Sequence, residues 1–214
     1  MNAVRTTLDL LKDTYNYNHW IYSLIRPYLG DTVLEVGAGI GNLTRFLLYC
    51  RSVVCMEPDP ACVNSLQALA EIHLNLKVVQ AGVETFSMDE AISCPFDTVV
   101  CINVLEHIED DEAAVRKMMQ VLRKGGCLLL YVPATGWVYG SMDAHLGHKR
   151  RYSKANLREL AKKLDLGIKA IHYVNFIGLL GWWWFGRIRK EAYIDPQNAQ
   201  FMDHLVPYLS LIHI

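Results

Sequence analysis

The chain has 214 residues, of which 52% are hydrophobic and 20% are charged, and its formal net charge is −1. This length suits a single domain with a sizeable core, and the composition is that of a globular protein without a long disordered tail. The nearly neutral charge gives no electrostatic case for binding nucleic acid, which usually requires a basic face.

The six cysteines are scattered along the chain, and no two of them form a C-x-x-C pair. The sequence therefore predicts neither a metal site nor a redox motif, and it favours free thiols in a reducing compartment. The first twelve residues include an acidic side chain and lack a long apolar core, so they do not match a secretory signal. We expect a cytoplasmic protein.

A glycine-rich turn is the most informative feature of the sequence. Residues 33–36 form a short apolar strand pattern, and Gly37, Gly39 and Gly41 follow at alternate positions before a predicted helix at residues 42–48. Strand, glycine turn and helix in this order predict the entrance of a nucleotide-type pocket in a parallel sheet. Glycine suits such a turn because a Cβ would hold the ligand away from the backbone, and because the turn can require positive φ angles.

Further strands and helices alternate along the chain. The apolar pattern predicts strands at residues 52–57, 76–80, 96–102, 127–132 and 168–174. It predicts helices at residues 60–70, 110–121 and 153–163. Continuous apolar strands that alternate with amphipathic helices indicate an α/β fold, with a Rossmann-like, doubly wound, mostly parallel sheet that is covered on both faces.

Candidate binding residues follow from the rule that a ligand lies beyond the carboxyl ends of parallel strands. Glu57 closes the second strand, twenty residues after Gly37, where a carboxylate can accept both ribose hydroxyl protons. A helix cap or a solvated carboxylate is the alternative for this residue. Residues 81–84 follow the third strand and residues 103–107 follow the fourth, so both segments belong to the same edge.

The pattern Glu35-x-Gly37-x-Gly39-x-Gly41 resembles the first motif of class I S-adenosylmethionine-dependent methyltransferases. The dinucleotide-binding fingerprint places its third glycine one residue later, at the position that Asn42 occupies here. The resemblance extends to Glu57 and to residues 103–107. The Gly-His-x-Arg-Arg-Tyr stretch at residues 147–152 is similar to a bacterial-type subgroup of the same family. The resemblance implies a seven-stranded methyltransferase-type sheet whose last, antiparallel strand is expected at residues 209–214.

This resemblance implies S-adenosyl-L-methionine as the cofactor. The glycines are expected against its methionine and ribose portions, and Glu84 is expected at the adenine amine. Asn103 is expected to face the methionine portion, and Tyr17 to close over the cofactor as part of a lid. The complete expected set comprises Tyr17, Glu35, Gly37, Gly39, Gly41, Glu57, Pro58, Gly82, Val83, Glu84, Asn103, Val104, Leu105 and His107.

The expected organisation is one methyltransferase domain over residues 1–214. Within it, residues 1–30 form an N-terminal lid helix and residues 31–135 form the cofactor-binding core. Residues 136–214 supply a segment on the substrate side and the last strands. No internal repeat is visible in the sequence.

The expected reaction is an in-line displacement, in which the cofactor supplies the activated methyl group and the protein supplies alignment. A hydroxyl acceptor also needs a base near neutral pH, and histidine is the natural candidate. His148 or His145 is predicted as the base, and Arg150 or Arg151 is predicted to orient an acidic group of the substrate. The expected catalytic set is His148, His145, Arg151 and Tyr152. A structural loop that caps helices is the alternative for this stretch.

An aromatic segment at residues 176–190 combines three consecutive tryptophans with basic residues. Its apolar part is too short to cross a bilayer, but this composition suits a peripheral contact with a membrane interface. A cover for the substrate pocket and a dimer contact are the alternatives. The expected partner is a small-molecule or lipid-like methyl acceptor, not nucleic acid. Competing functions are a nicotinamide-dependent oxidoreductase and a non-catalytic cofactor-binding module.

Overall fold

A computed structural model describes residues 3–12, 14–86, 95–191 and 196–209 of the chain. It contains a five-stranded sheet in which all neighbouring strands are parallel, in the order β3-β2-β1-β4-β5. The strands are β1 (Thr32–Val36), β2 (Ser52–Met56), β3 (Leu76–Val79), β4 (Phe96–Ile102) and β5 (Leu122–Tyr131).

Helices precede, connect and follow these strands. The α-helices are α1 (Ala3–Lys12), α2 (Tyr15–Ile25), α3 (Thr44–Leu47), α4 (Pro60–Ala70), α5 (Asp111–Gln120), α6 (Ser141–Leu146), α7 (Lys154–Lys163), α8 (Phe176–Trp182) and α9 (Pro196–Leu209). Single 3₁₀ turns lie at Arg26–Tyr28, Leu105–His107 and Gly136–Val138, and a π-helix at Trp183–Ile188 continues α8. None of the described helices has both the length and the apolarity that crossing a bilayer requires.

Alternate residues of the central strand β1 lie in different cores. Leu34 and Val36 belong to the core on the face covered by α5, whereas Val33 belongs to the core that contains Trp20 and Leu66. Side chains of a strand point to opposite faces in turn, so a strand with both faces covered is apolar at every position. Glu35, buried to 4% exposure, is the polar exception in this strand.

Helix boundaries follow local capping chemistry. Asp59 caps α4 by accepting a hydrogen bond from the Ala61 N–H, and Pro60 occupies the first turn, where its missing N–H costs nothing. Ser153 caps α7 by accepting a hydrogen bond from the Asn156 N–H. The predicted helices at residues 60–70 and 153–163 are therefore confirmed.

The N-terminal and C-terminal helices meet at a buried carboxylate. Asp203 of α9 is 7% exposed and accepts a hydrogen bond of 2.8 Å from the Tyr17 N–H and another of 3.1 Å from the Asn16 side chain. These groups lie in the first turn of α2, where backbone N–H groups have no partner within the helix. Asp203 thus caps α2 from the far end of the chain.

Two predicted features of the sheet are wrong or lie outside the described residues. Residues 168–174 form no strand, because Ile168 and Tyr173 are exposed and the Tyr173 ring lies beneath the Lys154 ammonium at 4.8 Å. Leu209 ends a helix, and residues 210–214 of the expected last strand lie outside the described residues. The described sheet accordingly has five strands and not seven.

Candidate active site

The carboxyl ends of β1, β2 and β4 lie side by side because the three strands are parallel and in register. The loop after β1 contains Gly37, Gly39 and Gly41 with φ angles of 71°, 56° and 88°, a region that side chains with a Cβ rarely adopt. A Cβ on Gly37 would lie 2.3 Å from a methyl group of Val104. The glycine loop is therefore packed against the loop after β4 at a distance that excludes a side chain.

Glu57 lies directly after β2 and contacts the glycine loop. It is 7% exposed, and its two carboxylate oxygens accept hydrogen bonds from the Gly39 N–H at 2.8 Å and the Asp59 N–H at 3.0 Å. Burial raises the pKa of Glu57, and the two backbone donors oppose that rise. Each oxygen keeps a lone pair, so the carboxylate is available to a ligand hydroxyl while it orders the loop.

Glu35 lies beneath the glycine loop, within the core. One carboxylate oxygen accepts hydrogen bonds from the Thr44 hydroxyl at 2.6 Å and the Cys55 thiol at 3.3 Å. Burial raises the pKa of Glu35 to about 7, although both donors lower it. In this structure Glu35 therefore joins β1, β2 and the start of α3, and supports the loop from below.

The segment after β3 supplies the next part of the edge. A Cβ on Gly82 would lie 3.8 Å from the Cβ of Pro58, which places the two loops in contact. Val83 is 5% exposed and belongs to the core, whereas Glu84 is exposed and its carbonyl oxygen accepts a hydrogen bond from the Lys117 ammonium. Gly82 and Glu84 lie at the edge of the sheet formed by the carboxyl ends of the strands. Val83, between them, packs in the core.

The segment after β4 begins with a left-handed residue. Asn103 has a φ of 52°, a conformation that asparagine tolerates better than most residues with a Cβ. Burial raises the pKa of the Tyr17 hydroxyl, and the side chains of Tyr131 and Asn103 oppose that rise. Leu105 is fully buried in the core. Tyr17 and Asn103 are thus brought together beside the glycine loop.

Helix α1 covers the glycine loop from outside. The Leu8 methyl groups lie 3.1 Å from where a Gly39 Cβ would be, and the Leu8 carbonyl oxygen accepts a hydrogen bond from the Asn42 side chain at 3.0 Å. Helix α1, which belongs to the predicted lid at residues 1–30, thus packs on the glycine loop, and closure over the cofactor stays a prediction.

A second buried cluster forms around Asp143, which is fully buried in α6. Its carboxylate oxygens accept hydrogen bonds from His148 Nδ1 at 2.8 Å, Trp182 Nε1 at 3.0 Å, and Arg151 Nε and Nη2 at 2.8 and 3.1 Å. The Gly140 N–H donates a further bond at 3.0 Å. Burial alone would raise the pKa of Asp143, but the bonds from His148, Arg151 and Trp182 lower it to about 2.

His148 faces His107 and Glu106 across this cluster. The two imidazole rings are 4.8 Å apart in an edge-to-face arrangement, and one ligand-type atom from each of the three residues lies within 4.8 Å of the others. Burial and the neighbouring His148 lower the pKa of His107 to about 4. Glu106 is fully buried, neither of its carboxylate oxygens has a hydrogen-bond partner among the described residues, and burial raises its pKa to about 8.

The predicted catalytic residues occupy different environments. His148 is 8% exposed, whereas His145 is exposed on α6. Arg151 is committed to Asp143 and to the Ala134 carbonyl oxygen at 3.0 Å. The buried Tyr152 hydroxyl lies 2.8 Å from Asp111 Oδ2. The structure thus brings His148 and Arg151 together, and places His145 and Tyr152 away from them.

Sequence reasoning missed three members of this cluster. Asp143 and Trp182 orient the histidine and the arginine, and Glu106 presents its carboxylate to the histidines. Asp143 lies inside the helix Ser141–Leu146, and His148 follows two residues after that helix ends. A buried acid five positions before a histidine does not form a local motif, so the pairing became visible only in three dimensions.

Comparison with known proteins agrees with the fold and with the glycine loop. Residues 34–128 match the family model described as a methyltransferase domain. An uncharacterized methyltransferase of Anoxybacillus flavithermus is 30% identical over 54% of this chain and 53% of its own length. A ubiquinone biosynthesis O-methyltransferase of Escherichia coli is 33% identical over 45% of this chain and 40% of its own length. The chain spans about half the length or less of these curated relatives.

A solved structure matches over more of the chain. Magnesium protoporphyrin IX methyltransferase of Synechocystis, solved with bound S-adenosylmethionine, superimposes with a TM-score of 0.58 at 16% identity. The match covers 80% of this chain and 86% of that one. At this identity the likeness establishes the fold. Residues 34–128 thus match a methyltransferase domain, and the chain has a Rossmann-like methyltransferase fold.

The buried Glu35 generates a pH-dependent stability. Because its folded pKa of about 7 lies above the ordinary value near 4.5, its contribution is complete below about pH 4.5 and is lost as the pH rises through 7. Glu35→Gln keeps an acceptor for Thr44 and removes the charge. We expect the variant to gain on the order of 1–3 kcal/mol relative to the wild type between pH 5 and pH 8.

Urea unfolding at pH 5 and at pH 8 measures this gain. Glu71→Gln, at the exposed end of α4, is the matched control and is expected to follow the wild type at both pH values. If Glu35→Gln and the wild type lose stability in parallel over this range, Glu35 is ionised in the folded protein and the explanation fails.

Proposed function

We propose that the protein transfers the methyl group of S-adenosyl-L-methionine to a hydroxyl group of a small or lipid-like acceptor. The observation that carries the proposal is the glycine loop, whose bare backbone is ordered by the bond from the Gly39 N–H to the buried Glu57 carboxylate. The matched methyltransferase domain over residues 34–128 supports it. The name of the E. coli relative, an O-methyltransferase, supports oxygen as the acceptor atom.

The cofactor would extend along the edge formed by the strand ends. Glu57 binds the ribose hydroxyls, and Gly82 and Glu84 lie where the adenine is expected. Gly37 and Gly39 contact the methionine portion through their backbone, and Tyr17 with Asn103 binds its carboxylate and amine. The Tyr131 and Asn103 side chains oppose the rise that burial causes in the pKa of Tyr17, and this proximity supports the placement.

His148 is the group placed to activate the acceptor. Its Nδ1 is bonded to the ionised Asp143, which fixes the ring orientation and leaves Nε2 as the working nitrogen. Asn103 and the Glu106–His107 pair share one short segment, so the donor end of the cofactor and the activating group would lie close together. Alignment of nucleophile, methyl carbon and sulfur is the main source of rate acceleration in such a displacement.

Arg151 serves as a positioning residue in this proposal. Its side chain is 4% exposed and its guanidinium is committed to Asp143, so it neutralises that carboxylate and does not reach the acceptor. The same reasoning applies to Arg150, which pairs with Asp111 at 3.1 Å and donates to the Glu109 carbonyl oxygen. Arg151 therefore supports the fixed position of His148, whereas Arg150 is committed to Asp111 and Glu109.

The aromatic segment supports a lipid-like acceptor. Exposed apolar side chains recur every four residues along α8 and the following π-helix, at Phe176, Leu180, Trp184 and Ile188. Residues four apart share one side of a helix, so these four form an apolar stripe. The exposed Arg187, Arg189 and Lys190 adjoin it, which suits an anionic membrane surface.

Loss of the Glu57 carboxylate should weaken cofactor binding. Glu57→Gln replaces a charged acceptor of ribose hydroxyls, and hydrogen bonds to a charged group contribute about 1.5–3 kcal/mol, so we expect a 10- to 100-fold loss of affinity. Calorimetric titration with S-adenosylmethionine and S-adenosylhomocysteine measures it, with Glu71→Gln as the matched control. Wild-type protein that is folded and binds neither compound, or that binds NADH in their place, contradicts the proposed function.

His148→Gln should abolish most turnover without loss of the cofactor. Removing an acceptor-activating histidine costs about 10²- to 10⁴-fold in rate. The assay follows label from methyl-labelled S-adenosylmethionine into a lipid extract and a small-molecule extract, with mass spectrometry of the labelled species. His73→Gln, at the opposite edge of the sheet, is the control. Unchanged turnover in His148→Gln, or an equal loss in His145→Gln, is incompatible with the assigned role.

The apolar stripe should bind vesicles. We expect co-sedimentation with phosphatidylglycerol-containing vesicles and less with phosphatidylcholine alone, because the adjoining side chains are basic. Leu180→Ser should weaken binding about tenfold, since burial of a leucine contributes about 1.5–3 kcal/mol. Leu74→Ser, equally apolar and fully exposed before β3, is the matched control. Equal effects of the two substitutions, or no sedimentation of the wild type, remove the membrane contact.

A further inference from the structure

We infer that Glu106, His107 and His148 form a binding site for a divalent transition-metal cation such as Zn²⁺. The three side chains come from two segments, the 3₁₀ turn Leu105–His107 after β4 and the loop after α6, where His148 is the second residue. One ligand-type atom from each lies within 4.8 Å of the other two. A sequence pattern of cysteines did not indicate this site, because its ligands are two histidines and a carboxylate.

The unsatisfied carboxylate is the first observation that points to a cation. Glu106 is fully buried, and neither oxygen has a hydrogen-bond partner among the described residues. The nearby guanidinium of Arg151 is bonded to Asp143 in a two-point arrangement. Buried carboxylates are normally paired or coordinate a metal. A cation between Glu106 and the two histidines would supply the missing partner.

The second observation is the orientation of the histidines. His148 Nδ1 is fixed by Asp143 at 2.8 Å, and the His107 ring meets the His148 ring edge to face with the ring centroids 4.8 Å apart. The His148 ring therefore has one nitrogen bonded to an acceptor and the other available. Metal-binding histidines almost always donate their second nitrogen to a carboxylate or a carbonyl in this way. Asp143 is itself held by Arg151 and Trp182, so the support extends beyond the ligands.

The ligand set also indicates the kind of metal. Two imidazoles and one carboxylate suit Zn²⁺ and related transition metals, whereas Mg²⁺ and Ca²⁺ prefer oxygen ligands throughout. Three protein ligands leave a coordination position for a water molecule or a substrate oxygen, as in catalytic zinc sites. The role in catalysis rests on the proposed function: the cation would lower the pKa of the acceptor hydroxyl, so His148 would activate the acceptor through the cation that its Nε2 binds.

The test is metal titration of tag-free, full-length protein after treatment with EDTA. We expect one Zn²⁺ per chain by calorimetry and a rise in unfolding temperature, since a ligand that binds the folded state stabilises it. Glu106→Gln and His107→Gln should each lower Zn²⁺ affinity at least tenfold, and His73→Gln should not. Co²⁺ in place of Zn²⁺ should give a visible absorption spectrum without a thiolate charge-transfer band, which separates this site from binding to cysteines.

Two results would overturn the inference: folded wild-type protein that binds no Zn²⁺, or Glu106→Gln that binds it as tightly as the wild type. A Co²⁺ spectrum with thiolate ligands would overturn it as well. Calorimetry with S-adenosylmethionine on the same preparation separates this failure from failure of the proposed function. Cofactor binding without metal binding removes the metal site alone, and metal binding without cofactor binding removes the methyltransferase assignment alone.

Discussion

The parallel alignment of β1 with both of its neighbours is the constraint on which the candidate site depends. Residues 33–36 pair in register with β2 on one side and β4 on the other. The three strands therefore end at the same level, and the loops that leave them must share one edge of the sheet. This is why Glu57 reaches the Gly39 N–H and why Val104 packs on Gly37, although these residues are distant in sequence.

The buried carboxylates near this edge differ in how fully they are satisfied, and the difference sets their chemistry. Asp143 accepts bonds from three side chains and one backbone N–H, which keeps its pKa near 2. Glu57 receives two backbone N–H groups, and Glu35 receives a hydroxyl and a thiol, with a pKa near 7. Glu106 has no such donor among the described residues. The same chemical group, a buried carboxylate, thus orients His148 in Asp143 and links strands in Glu35. It is the proposed ligand-binding group in Glu57 and the proposed metal ligand in Glu106.

Much of the fold could be predicted because its determinants are local. The glycine turn, the helix Pro60–Ala70 with its proline start, and the strand Phe96–Ile102 each follow from a short pattern of residues. The position of Glu57 could also be predicted, because the carboxyl ends of parallel strands lie at one edge of the sheet and Glu57 directly follows a predicted strand. The strand predicted at residues 168–174 did not form. Its apolar side chains are compatible with a strand, but the structure leaves Ile168 and Tyr173 exposed and places the Tyr173 ring against Lys154, and a short segment does not encode such contacts.

The second cluster was harder to predict because its partners come from separate parts of the chain. Asp143 and Trp182 are 39 residues apart and meet through a single hydrogen bond. His148 or His145 was predicted as the base, and that role stays a prediction; the structure places His148 beside Asp143 and His107. The role of Arg151 could not be derived, because an arginine beside histidines can bind a substrate or a buried acid equally well. In the structure the guanidinium of Arg151 bonds to the buried Asp143.

The segment from Asn103 to His107 connects the two halves of the site mechanically. Its first residue has a left-handed conformation and opposes the rise that burial causes in the pKa of Tyr17, and its last two belong to the cluster around His148. Between them Leu105 is fully buried, so the turn is anchored in the core. If one end of this turn moved, the other end would therefore move with it. A nucleophilic displacement depends on a fixed distance between donor and acceptor, and one rigid turn of 3₁₀ helix is a direct way for a protein to hold that distance.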